Sequence, residues 1–296
     1  MKNIKKAIIF SMSLATIIAL FIVFFSNSSR QENLDNWIYD YVNYTNLHEY
    51  SKGESQKIAI IDSGVSEGLL SNENSSFSLV SDNAHDINGH GTMMYSIIKG
   101  YEKEIIGISP EADIINIKIF NVDGSIKKEE LYEAIKLAIE KKATVINLSI
   151  AGYKYDEKIA EIIKVAVKEG ITVVASSGDY SDEEVMFPAN MDEVVSVGAL
   201  GEEFEVLSMT SGKDFTTINA PGENILTLDN NNKVFLSSGT SQATALISGY
   251  VSLLRDYAYK SKKEITNTDI LNYLNLIKND KINYHEGLEK INSLPD

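Results

Sequence analysis

Between Ile114 and Ala175 the chain alternates short branched-apolar runs with amphipathic stretches, a pattern that few architectures accommodate. Ile114 to Phe120, Val145 to Ile150 and Ile171 to Ala175 read as buried strands, and Lys127 to Lys141 and Asp156 to Glu169 carry apolar residues at helical spacing. Strands separated by helices of about 10–15 residues build right-handed βαβ units around a parallel sheet. The prediction is an α/β domain whose mainly parallel sheet has helices on both faces.

Three further segments place chemistry on that frame. Lys57 to Ile61 is a short apolar run that ends at Asp62-Ser-Gly64, which predicts a strand delivering Asp62 at its carboxyl edge, where open α/β sheets bind ligands. Asn88-Gly-His-Gly-Thr92 opens the apolar-periodic stretch Met93 to Ile98, so His90 stands at a helix entrance among glycines; His48, His85 and His285 lack such surroundings. Leu236-Ser-Ser-Gly-Thr-Ser-Gln-Ala-Thr-Ala-Leu-Ile-Ser-Gly249 is a small-residue turn leading into a helix with Ala243, Leu246, Ile247, Tyr250, Val251 and Leu254 at core spacing. Ser241 then lies near unpaired N–H groups and the positive end of the helix dipole, a place suited to a developing oxyanion. Taken alone, the serines and threonine at 237–241 read as a helix cap and Asp62 as the start of a turn.

Together, Ile58-Ala-Ile-Ile-Asp-Ser-Gly64, Asn88-Gly-His-Gly-Thr92 and Gly239-Thr-Ser-Gln-Ala-Thr244 resemble the three signature segments of the subtilisin-like serine proteases. The order Asp, His, Ser matches that family and differs from the Ser, Asp, His order of α/β-hydrolases. The resemblance covers roughly residues 33 to 260. It implies a three-layer subtilisin-like fold with a seven-stranded sheet, and a serine endopeptidase with Asp62, His90 and Ser241 as the triad. It further implies that Ser149, Ile150 and Ala151 pair with a substrate backbone while Gly152 lets it approach. Ser177 and Gly178 would form one pocket wall, Met186 to Ala189 the floor, and Asp182, Glu183 and Glu184 the loop between.

Four departures from the family pattern carry expectations. Ala151 replaces a usual glycine and narrows the first specificity pocket, and Ala245 replaces a proline. Asp179 stands where the family has the asparagine that completes the oxyanion hole beside the Ser241 backbone. A carboxylate has no N–H to donate, so slow turnover of generic peptides is expected. Gly100 to Ile106 offers Glu102 and Glu104 without the family's Asn-rich calcium turn, so that site is expected to be absent; calcium elsewhere stays open, because backbone carbonyls can supply its ligands. No organic cofactor is implied.

Lys2, Lys5 and Lys6 precede an uncharged apolar run from Ala7 to Phe25. Residues 1–29 therefore read as a signal or membrane anchor with residues 30–296, the peptidase domain, outside the cell. The absence of an A-x-A site at Phe24 to Ser29 favours the anchor. Gln31 to Gln56 is too short for a foldase pro-domain and reads as an arm over the domain. With no cysteine, disulfides, thiolate metal sites and a cysteine nucleophile are excluded. The formal charge of −15 disfavours nucleic acid and anionic membrane surfaces as partners. Beyond Ser241, a helix is expected from Thr266 or Asn267, and Asn283 to Asp296 as a surface tail. A monomer acting on a peptide precursor is expected, similar to the subtilases that remove leaders from lanthipeptide precursors. The alternatives are a secreted degradative subtilisin and a catalytically dead peptide-binding module on the same scaffold.

Overall fold

A computed structural model describes residues 36–70, 73–278 and 284–293. Seven parallel strands form its centre: β1 (Lys57–Asp62), β2 (Ser76–Ser78), β5 (Asp113–Lys118), β6 (Val145–Leu148), β7 (Thr172–Ser176), β8 (Val195–Leu200) and β9 (Ile218–Pro221). Their spatial order is β2-β5-β1-β6-β7-β8-β9. Two antiparallel hairpins lie outside the sheet, β3 (Gly100–Tyr101) with β4 (Ile105–Ile106) and β10 (Ile225–Leu228) with β11 (Val234–Ser237).

Side chains that alternate along each strand divide the core in two. Ile58 and Ile60 of β1 join one apolar cluster with α3 (His90–Lys99) and α6 (Thr240–Lys260), whereas Ala59 and Ile61 join a second with α4 (Lys128–Glu140) and α5 (Glu157–Lys168). Period-two side chains pointing to opposite faces require cover on both, and the helices supply it. Helix α6 is buried along almost its whole length. Two of its hydroxyls are satisfied within the helix: Thr244 donates to the Thr240 carbonyl and Ser252 to the Gly249 carbonyl.

Several expected boundaries move. The strand expected to run through Ile150 ends at Leu148, leaving Ser149 to Ala151 outside the ladder. The expected arm forms two short helices in its described part, α1 (Trp37–Val42) and α2 (Tyr44–Tyr50), which bury Ile38, Val42, Tyr44 and Leu47 in the core. Residues 100–106 form the β3–β4 hairpin. Helix α7 (Asn267–Ile277) starts at a Thr266 cap, whose hydroxyl accepts from the Asp269 N–H at 3.1 Å.

The expected C-terminal surface tail is corrected by α8 (Tyr284–Ile291), where Leu288 and Ile291 are buried in the same core as α6. Residues three apart on a helix share a face, so the two form one apolar contact. The segment 1–29 lies outside the described residues. Among the described residues no helix is long and apolar enough to cross a membrane, and no group of three or more His, Asp or Glu is placed to hold a metal ion.

Candidate active site

The carboxyl ends of β1, β6 and β7 meet the heads of α3 and α6. Asp62, the last residue of β1, is fully buried, and its carboxylate accepts the Ser63 N–H at 2.7 Å. His90 opens α3, and its Nδ1 lies 2.8 and 3.0 Å from the two Asp62 oxygens. That contact places the proton on Nδ1 and leaves Nε2 as an acceptor. The ring stacks on Phe120. Burial, the largest single influence, pushes the His90 pKa down. The Asp62 charge and hydrogen bond, with the Asp86 and Asp179 charges, more than reverse it, leaving the pKa above the ordinary histidine value of 6.5.

The loop before His90 is held by a residue that sequence reasoning missed. Buried Asp86 accepts from the Ser63 and Thr92 hydroxyls and from the N–H groups of Asn88, Gly89 and Thr92, all between 2.7 and 2.9 Å. Ser63 in turn accepts the Gly91 N–H at 2.8 Å, so the Asp62 turn and the His90 turn share one network. Gly91 packs directly on the backbone of Gly64, where any Cβ would overlap the Gly64 carbonyl. Lys118, nearly buried beside β1, donates to the His85 carbonyl at 2.7 Å; burial lowers its pKa and the Asp86 charge opposes that. The available signal was the pattern Asp86-Ile-Asn-Gly-His90, an aspartate whose side chain can cap its own turn.

Ser241 is the second residue of α6 and is mostly buried. Its hydroxyl donates to the Ser149 carbonyl at 3.3 Å, and no hydrogen bond joins it to His90 among the described residues. As a first-turn residue its N–H has no intrahelical acceptor. Asp179 stands directly beside this helix head: its Oδ1 accepts the Thr240 N–H at 2.8 Å, and its Oδ2 would lie 3.0 Å from a Cβ on Gly239. A carboxylate at a helix N-terminus is favourable.

Of the predicted binding residues, Ile150 and Ala151 have backbone groups that make no turn or loop hydrogen bond among the described residues. Gly152 does not share that freedom, since its N–H and C=O both pair with Phe187, at 2.8 and 3.0 Å; the space beside its Cα is open. The backbone of Ser177 is likewise engaged, by Val197 and Met186, and its buried hydroxyl has no partner among the described residues. Gly178 sits at φ +105° with Met186 packed against its Cα, which backs that wall. Asp182, Glu183 and Glu184 are exposed.

Residues 53–281 match the family described as the subtilase family. An intracellular serine protease of Paenibacillus polymyxa is 32% identical over 201 residues, which make up 65% of this chain and 61% of that protein. The chain thus spans less than two thirds of that relative. The major intracellular serine protease of Bacillus subtilis (strain 168) is 31% identical over 227 residues, 71% of each. Among solved structures, the prenylagaramide maturation protease PagA superimposes with a TM-score of 0.72 at 20% identity, covering 85% of this chain and 99% of that one. The protease domain of PatA gives 0.70 at 22%, covering 82% and 98%. At these identities the likeness to both structures is one of fold.

Proposed function

Because this chain belongs to the subtilase family, we propose that it is a serine endopeptidase in which Asp62, His90 and Ser241 form the triad. The observation that carries this reading is the Asp62–His90 hydrogen bond at the sheet edge where Ser149, Thr240 and Ser241 also meet. The Ser241 hydroxyl turns from the Ser149 carbonyl toward His90 Nε2, gives it its proton, and Oγ bonds to the scissile carbonyl carbon. The imidazolium then protonates the leaving amine as the C–N bond breaks. Water, deprotonated by the same nitrogen, attacks the acyl carbon, and the imidazolium returns that proton to Ser241 Oγ as the ester bond breaks. Asp62 holds the tautomer and stabilises the imidazolium. The Ser241 N–H receives the oxyanion, with Asp179 as its neighbour in place of a second donor.

An extended peptide pairs with the free backbone of Ile150 and Ala151 and runs past Gly152, between loops that carry Ser177 and Gly178. Processing of a precursor peptide is the substrate reading, supported by the fold shared with the prenylagaramide maturation protease PagA. Residues 1–29 serve as signal or anchor and residues 30–296 as the peptidase domain, a monomer, with the domain outside the cell.

Two outcomes test this. A fluorophosphonate probe is expected to label Ser241 in the purified protein, and Ser241→Ala to abolish labelling. A second reading, a peptide-binding module without activity, is favoured by Asp179 and by the Ser241 hydroxyl bonded to Ser149; absence of labelling at any pH between about 5 and 9 would establish it over the protease. The raised His90 pKa sets the pH profile. Only the neutral imidazole accepts a proton, so kcat/KM is expected to rise with pH through a midpoint above about 6.5. The protonated imidazole contributes its stabilisation of the fold fully below about 6.5, and that contribution fades as pH rises through the folded value. A profile flat down to about pH 5 would show that His90 is not the base.

A further inference from the structure

A buried polar chain links the middle of α6 to its head by way of β6. Ser248 donates from Oγ to Asn147 Oδ1 at 2.8 Å, Asn147 Nδ2 donates to Ser149 Oγ at 3.1 Å, and Ser149 Oγ donates to the Ser241 carbonyl at 3.0 Å. The Ser241 hydroxyl donates back to the Ser149 carbonyl. Asn147 and Ser248 are fully buried and Ser149 is 4% exposed. Asn147 stands in a strand whose other residues, Val145, Ile146 and Leu148, are apolar, between Ile60 of β1 and Val174 of β7.

A buried amide there is costly unless its atoms are paired, and an aliphatic residue would suit the strand better. Its orientation follows from its partners. The Ser149 hydroxyl, which also touches Met94 Sδ at 3.0 Å, has its proton directed to the Ser241 carbonyl. It therefore needs a donor from the strand side, and the Asn147 NH₂ is that donor.

We infer that Asn147 is a positioning residue for the nucleophile: it acts through the Ser149 hydroxyl to fix the peptide unit of Ser241, and Ser248 holds the amide in register. The helix already satisfies the backbone here, so this added bond sets orientation at the head of α6. The inference rests on Ser241 being the nucleophile.

The test is a double-mutant cycle on kcat for a short peptide amide, with Asn147→Leu, Ser149→Ala and the double variant made in the full chain. Each single change is expected to lower kcat about tenfold with KM within about twofold, and the double to lower it no further than Ser149→Ala alone. Losses that multiply in the double variant, or a drop in Tm with kcat unchanged in Asn147→Leu, would overturn the role and leave Asn147 as packing. If Asn147→Leu does not fold, Ser248→Ala replaces it, with a loss of about threefold that vanishes in the Ser149→Ala background. Wild-type labelling by the fluorophosphonate is the control: no labelling means that the protease reading has failed, whereas labelling with multiplicative losses means that only the positioning role has.

Discussion

Asp62→Asn is expected to lower kcat by about 10⁴ while leaving the fold in place, the size of loss seen when a triad aspartate is amidated in a serine protease. The contacts of this chain say why the amide would be wrong here. Asp62 Oδ1 accepts both the Ser63 N–H and the His90 Nδ1 proton, and Oδ2 shares the latter. In the variant the single carbonyl oxygen stays with the Ser63 N–H, which cannot turn away because it belongs to the turn. The NH₂ therefore faces His90 Nδ1, and the ring moves its proton to Nε2. An Nε2 that carries a proton cannot take one from Ser241. The variant also loses the charge that raises the His90 pKa, so the residual activity should show an acid limb at lower pH than wild type. Retention of more than about a tenth of wild-type kcat, with an unchanged thermal transition, would remove Asp62 from the mechanism.

The parallel sheet was legible because five of the six residues of β1 and β5, and every residue of β6 and β7, are buried, so branched apolar residues dominate their sequences, with Asn116, Lys118 and Asn147 as polar interruptions. The approach of Asp62 and His90 was legible through the glycines around His90, since Gly91 must sit on the backbone of Gly64. Asp86 was not. An aspartate before Asn-Gly reads as a solvated turn, and only the fold brings Ser63, 23 positions away, onto its carboxylate. The end of β6 was misplaced because Ile150 continues the apolar run, whereas the strand stops where Ser149 turns to bond the head of α6. Helix α8 was hidden by Gly287, a poor helix residue in sequence, and the fold gives its reason: a Cβ there would overlap the Tyr250 and Tyr273 hydroxyls. In each case the missing information was a contact between residues far apart in the chain.

Asp179→Asn is expected to raise kcat on a generic peptide by about 10²–10³, the converse of removing the equivalent donor in subtilisin. Sequence alone places an aspartate where a donor is wanted; the structure adds how its two oxygens are used. Oδ1 accepts the Thr240 N–H at 2.8 Å, and Oδ2, without a hydrogen bond among the described residues, stands beside Gly239 at the head of α6. An asparagine keeps the first contact with its own Oδ1, so the Thr240 N–H fixes the amide and leaves the NH₂ in the place of Oδ2. The substitution thus turns a negative acceptor beside Gly239, at the head of α6, into a neutral donor without moving the group. A second consequence runs through His90, whose pKa the Asp179 charge raises. Removing that charge lowers it, so the rise of kcat/KM should begin at lower pH in the variant than in wild type. The aspartate would then be a brake on generic turnover, and a substrate with extensive remote contacts would use its binding energy to overcome it. Measuring both kcat and the acid limb separates the two effects. A lower kcat for Asp179→Asn at every pH would mean that the carboxylate itself assists, through a substrate N–H or ammonium held on Oδ2, and that the enzyme is built for a substrate bearing that group.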